Sequence, residues 1–231
     1  MAKKVYAVKS GYRTGLFYSW EDCQSSIKGY SGAVYKGFAT EEEAYAYLNG
    51  YSLAKTNNGD FIEISKPISA DVANIFVDGS CKDYLISFGI YIQTADNSFK
   101  FDGAVETSKY GNIKNVAGEL FGVIAAVQIS NQLGLKRLNI YYDYKGIYSF
   151  YTGEWKARGE LQQKYRAILN NFRVLYGVDY KFYHVKGHSG VEGNTIVDKL
   201  AKRALNLEHF VDEDIILRGR LKPENLYISH I

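Results

Sequence analysis

Asn74-Ile75-Phe76-Val77-Asp78-Gly79-Ser80 is a short apolar run, rich in β-branched residues, that ends in a carboxylate and two small residues. Such a run predicts a central strand. A buried strand has no use for a charge unless that charge is paired or holds a metal. Asp-Gly is also a common turn, so Asp78 gains its meaning from three other acids: Glu119, Asp143 and Asp198, each at the edge of a predicted element.

Downstream, residues 86–93 and 98–105 read as two more strands, with Asp96-Asn97 as the turn between them. A helix is predicted over 115–133, because Val116, Leu120, Val123, Ile124 and Val127 recur on one face and Gly134 provides a stop. Glu119 borders that stripe. Residues 138–142 form a fourth strand with Asp143 at its carboxyl end. Helical sequence follows over 146–151 and 160–175, then a fifth strand over 180–185. A Gly-flanked loop, 186–190, leads to a last helix over 194–205 with Ile196, Val197, Leu200, Ala201 and Ala204 facing inward. Three antiparallel strands followed by two helical crossovers imply a mixed α/β sheet.

In such sheets the strand carboxyl ends gather a site. Parallel neighbours would bring Asp78 and Asp143 together, and Glu119 and Asp198 would join them from flanking helices. Four acids cannot all ionise side by side without cations, so magnesium is the natural counter-ion. Taken singly, each has a plainer reading: a turn residue, a solvated helix edge, a helix cap and a first-turn acid.

Upstream, residues 2–49 form a compact unit. Strands are expected over 4–8, 15–18 and 33–36. Ser19 with Asp22 makes a near capping box for one helix, and Thr40-Glu41-Glu42-Glu43 starts another. Residues 51–72 read as a linker, with an alternating extended piece at Phe61-Ile62-Glu63-Ile64. The organisation expected is therefore 1–50, a linker over 51–72, 73–205, and a C-terminal extension, 206–231, of unassigned role.

The chain has 231 residues, 46% of them hydrophobic, enough for one or two domains. A net charge of +3 is too small to establish an anionic partner, but residues 136–205 carry thirteen Lys and Arg against six Asp and Glu. That half can face a polyanion. Cys23 and Cys81 match no zinc spacing or disulfide framework, and no apolar run is long enough to span a membrane. A soluble, cytoplasmic monomer is expected.

Val5-Tyr6-Ala7-Val8-Lys9, Arg13-Thr14-Gly15-Leu16-Phe17, Trp20, Cys23 and the run from Tyr35 to Ala44 resemble the hybrid-binding, viroplasmin-like domain of type 1 ribonucleases H. The resemblance implies that Trp20, Tyr35 and Lys36 contact the DNA strand of an RNA/DNA hybrid. Spacing alone favours Trp20 and Tyr35 as ordinary core of a small domain. The order Asp-Gly-Ser, Asn-x-x-Gly-Glu-Leu, strand-Asp, Lys-Gly-His-x-Gly and Asn-x-x-x-Asp, over 73–205, resembles the catalytic domain of the same family.

That second resemblance implies a five-stranded ribonuclease H fold and two-metal hydrolysis of the RNA strand, with Mg2+ resident and Mn2+ a substitute. Asp78 would bridge two ions, and Glu119, Asp143 and Asp198 would hold them individually. His188 would assist proton transfer or product departure. Asn115 would read 2′-hydroxyls, and Gly79 and Ser80 would lie against the substrate. The basic protrusion of some single-domain members is absent between Trp155 and Leu161, and its role would pass to the N-terminal module with Lys156, Arg158, Lys164 and Arg166. One alternative is a non-catalytic hybrid-binding protein on the same fold, and a second is an integrase- or resolvase-like nuclease.

Overall fold

The computed structural model describes residues 4–56, 59–186 and 191–228. They divide into two compact units, the first comprising the described residues up to Ala54 together with Asp60–Ser65. Its sheet has β1 (Val5–Ser10) in the middle, antiparallel to β2 (Gly15–Phe17) and β3 (Val34–Phe38). Helix α1 (Trp20–Ile27) begins where the Ser19 hydroxyl oxygen accepts the Asp22 N–H at 3.1 Å. Helix α2 (Glu41–Asn49) is capped by Thr40 and stopped by Gly50 at a φ of +78°. Small residues fill this core: Ala7, Val8, Cys23, Ala44 and Ala46 are all buried. The linker is partly extended, in β4 (Leu53–Lys55) and β5 (Phe61–Glu63), as the alternation in its sequence suggests.

The second unit is built on β6 (Val72–Lys82), β7 (Leu85–Gln93) and β8 (Ser98–Glu106), an antiparallel meander. Helix α3 (Lys114–Gln132) crosses to β9 (Arg137–Tyr142), parallel to β6. Helices α4 (Gly146–Thr152) and α5 (Glu160–Tyr176) cross to β10 (Asp179–His184), parallel to β9. Then come α6 (Glu192–Ala204), α7 (Glu213–Leu217) and β11 (Tyr227–Ile228). The strand order runs β11-β8-β7-β6-β9-β10 and goes on past β10, where His184 pairs antiparallel with Lys55. The five expected strands thus gain a short one at the β8 edge and pairing at the β10 edge as well. Helices α3 and α6 cover opposite faces. Gly122 of α3 lies over Val77 and Phe88, whereas Gly89, next along β7, lies under Val197 of α6.

Three expectations change. Strand β6 does not end at Asp78. It continues paired with β7 to Lys82, so Asp78-Gly79 is not a turn. Helix α3 is not buried on one stripe: apart from Glu119, every residue from Ala117 to Ser130 is buried, because α5 and α7 close over the side that the sheet leaves open. Ile196 is only half-buried at the margin of α6.

The C-terminal extension is docked on the second unit. Val211, Ile216, Leu217, Leu221 and Leu226 are buried. The buried Gln128 amide donates to Ile216 O at 2.9 Å and accepts from Leu221 N at 2.8 Å. Asp102 of β8, fully buried, takes the Arg203 guanidinium of α6 at 2.6–2.7 Å, and the Tyr227 ring lies 4.8 Å from that guanidinium.

Candidate active site

The parallel pairing of β6 with β9 ends at Phe76 and Tyr141. Asp78 and Asp143 lie two residues beyond that last pair, in step with each other. Glu119 arrives on α3, which rests directly on the strands. A Cβ on Gly79 would come within 2.5 Å of Glu119 N, and one on Gly118 within 2.5 Å of Ser87 O. Glycine permits that approach, and any side chain would push the helix, and Glu119 with it, away. Helix α6 is seated on the opposite face by the Ser87 hydroxyl, which donates to Ala201 O at 2.7 Å.

Asp78, Glu119 and Asp143 each place a carboxylate oxygen within 4.8 Å of the others. Asp198 is not in that trio. Its carboxylate is paired with Lys202 one turn along α6, at 2.7 Å. Its charge still reaches the cluster, since it helps to raise the pKa of Asp78. Burial first, then the charge of Asp143, pushes Asp78 up to about 6, against a bond from its own neighbour's N–H, Gly79 N at 2.8 Å. Burial, then Asp143 and Asp78, pushes Glu119 up to about 9. Glu119 Oε2 is buried with no hydrogen-bond partner. An orphaned carboxylate oxygen among mutually repelling carboxylates suits a hard divalent cation, and the all-oxygen donor set matches magnesium or manganese.

A pH dependence follows. Both carboxyls have folded pKa values above their ordinary ones, so between about pH 4 and 9 the folded state binds more protons than the unfolded state. The stability of the metal-free protein therefore falls as pH rises through that window. A cation favours the ionised forms, so the rise in Tm on adding Mg2+ to chelator-treated protein should be larger at about pH 8 than at about pH 5. Equal rises at both pH values in thermal melts would contradict this.

Several residues near the site were not singled out from the sequence. Lys202 had a signal, the Asp-x-x-x-Lys spacing on a helix. Cys81 had none: its Sγ lies 3.0 Å from the Asn115 amide oxygen, a meeting across 34 positions. His184 Nε2 lies 3.0 Å from Asp143 O, where it fixes the end of β9. His188, with Gly187, Ser189 and Gly190, lies outside the described residues. Asn115 is exposed on the first turn of α3, and Gly79 and Ser80 lie half-buried on β6.

In the first unit, Trp20 stands between Tyr6 and Tyr35, with ring centroids at 5.4 and 6.0 Å. Trp20 and Tyr35 remain about 40% exposed, so they are not the interior of the domain. Tyr6 completes this face and went unnoticed because only its strand neighbours reveal it. Lys36 lies on the other side of the β3 pleat, with its ammonium 5.5 Å from the Phe38 ring. A separate cleft of about 620 Å³ in the second unit is lined by Trp155, Lys156, Arg158 and Arg166.

The model of the Ribonuclease H1 N-terminal domain matches residues 4–48, and that of RNase H matches 70–206. Ribonuclease H1 of Mus musculus is 25% identical over 255 residues, covering 85% of this chain and 87% of the mouse protein. The Homo sapiens Ribonuclease H1 is 22% identical with the same coverage. Among solved structures, RNase H1 from the halophilic archaeon Halobacterium salinarum NRC-1 is similar with a TM-score of 0.49 and 18% identity, over 58% of this chain and 98% of that one. The RNase H match alone spans more than half of the sequence, and the chain belongs to the ribonuclease H family, as a ribonuclease H enzyme that carries a Ribonuclease H1 N-terminal domain ahead of its catalytic domain.

Proposed function

We propose that the protein hydrolyses the RNA strand of RNA/DNA hybrids with two divalent cations, held by Asp78, Glu119, Asp143 and Asp198. The observation that carries this reading is the partnerless, buried Glu119 Oε2 inside a trio of carboxylates within 4.8 Å. Bound magnesium would supply an activated water and steady the leaving 3′ oxygen. The chain's own part is to hold the ligands apart from bulk water and in register. Gly79 and Gly118 let α3 bring Glu119 down onto β6, and the β6–β9 register sets Asp78 beside Asp143. Lys202 balances the charge of Asp198. Asn115, whose amide oxygen is engaged by Cys81, offers its NH2 end to a 2′-hydroxyl, the group that separates RNA from DNA. His188 moves a proton or speeds product departure, and since it holds no metal, His188→Ala should slow turnover far less than loss of a carboxylate.

The fragments test the chemistry. Attack by water with departure of the 3′ oxygen leaves 3′-hydroxyl and 5′-phosphate ends, so both should appear on mass analysis of digested hybrid. Ends with 2′,3′-cyclic phosphate would mean that the neighbouring 2′-hydroxyl attacked, and the reading would be wrong.

The face formed by Tyr6, Trp20 and Tyr35 gives the first domain a stacking platform for sugars or bases, while Lys36, on the other side of the β3 pleat, is not part of that platform. The cleft at Trp155 and Arg166 extends phosphate contact on the catalytic unit. Tethering a second binding domain makes its contact effectively intramolecular. Deleting residues 1–50 should therefore raise KM for long hybrids, reduce cuts per encounter and flatten the salt dependence of binding, with kcat on a saturating short hybrid little changed. The deletion removes six Lys and Arg. An unchanged KM and salt slope would assign that domain another role.

A further inference from the structure

The entry to α3 lacks the devices that normally fix a helix start. Ile113 makes no side-chain cap, and the first turn holds no acid. A 3-10 turn, Gly111–Ile113, leads in instead, with Gly111 at a φ of +42°. From the β6–β7 side, Lys114 Nζ donates to Asp83 O and Cys81 Sγ meets the Asn115 amide oxygen at 3.0 Å; a second hold, on the lead-in, comes from the far end of the chain. The Tyr110 hydroxyl donates to Glu213 Oε1 at 2.5 Å, and the Lys109 ammonium lies 3.4 Å from the same carboxylate. The Glu213 side chain is only 11% exposed. The Tyr110 ring packs edge-on against Phe121, about two turns into α3, at 5.7 Å between centroids. Burial, then the bond to Glu213, keeps the Tyr110 phenol protonated and donating.

Glu213 lies in the segment beyond residue 206, outside the part of the chain that matches the RNase H family. We infer that Glu213 is a positioning residue: through Tyr110 it holds residues 107–116 so that the first turn of α3 presents Asn115 to the RNA strand. This rests on the reading of Asn115 under the proposed function. The effect is confined to that first turn. Glu119 is pinned by the contact of Gly118 and Glu119 with Gly79, which also meets Asn115 O and involves no residue of the C-terminal segment. The clamp adds to the hold on the first turn and is not needed to place Glu119. Loosening the clamp therefore weakens substrate reading and leaves the carboxylate cluster in place.

The split between KM and kcat tests this. Tyr110→Phe and Glu213→Leu each remove a hydrogen bond to a charged group, and each should raise KM for a short hybrid roughly fivefold to tenfold with kcat nearly unchanged. Glu213→Gln keeps an oxygen that accepts from Tyr110 and should restore KM to within about twofold of the parent protein. Amide hydrogen exchange without substrate should speed up over 107–116 in Tyr110→Phe, and not over 117–130. Exchange reads the clamp whether or not the protein cleaves hybrid, so failure of the functional reading, seen as an inactive parent protein, stays separate from failure of the clamp. Unchanged KM in both clamp variants, or a fall in kcat at unchanged KM, or unaltered exchange over 107–116, would overturn the assignment.

Discussion

Asp78→Asn is expected to abolish hydrolysis and to leave hybrid binding intact. Asn keeps the shape of Asp78 and removes the charge at the centre of the trio with Glu119 and Asp143. Loss of a cation's contribution at this position is worth several kcal/mol of transition-state stabilisation, on the order of a thousandfold or more in kcat. Binding should survive, because phosphate contacts and the first domain do not depend on that charge. The same substitution should not lower Tm in the presence of a chelator. Burial and the Asp143 charge already push the Asp78 carboxyl up to about 6, so a neutral amide relieves repulsion there. Turnover near that of the parent protein at saturating Mg2+ would remove Asp78 from the metal site.

Ending the chain after Asn206 is expected to unfold the catalytic unit. Val211, Ile216, Leu217, Leu221 and Leu226 are all buried. At about 1.5–3 kcal/mol for each fully buried side chain, their loss rivals the roughly 5–15 kcal/mol that stabilises a typical domain. The truncation also strips the partners at Ile216 and Leu221 from the buried Gln128 amide and uncovers the Asp102–Arg203 pair. An unpartnered amide left on a core helix adds to the cost. Near-ultraviolet circular dichroism and a thermal melt should show no cooperative transition for this unit. A truncated protein that melts within a few degrees of the full chain would mean that the segment is dispensable packing.

The parts of the structure set by local pattern were legible in the sequence. Strand periodicity marked β6 to β10, Ser19 and Thr40 marked two helix starts, and Gly134 marked a helix end. The acidic trio was legible because strand ends and helix edges in a mixed sheet converge. What stayed hidden depended on contacts distant in sequence. Nothing near Val116 or Gln128 tells that a segment some ninety positions later closes over α3, so its burial on every side could not be read. The continuation of β6 past Asp78 is set by its partner β7, while Asp-Gly taken alone suggests a turn. The retention of Asp198 by Lys202 is a competition between a neighbouring ammonium and the cluster, which spacing raises without deciding.

The central claim is a cation-dependent nuclease that selects RNA paired with DNA. It is tested most directly by incubating the full chain with four labelled substrates: RNA/DNA hybrid, duplex RNA, duplex DNA and single-stranded RNA, each with Mg2+ and with chelator. The account predicts cleavage of the RNA strand of the hybrid with Mg2+ alone, and no cleavage of the other three under either condition. Hybrid bound and left intact with Mg2+, or equal cleavage of hybrid and duplex DNA, would contradict it.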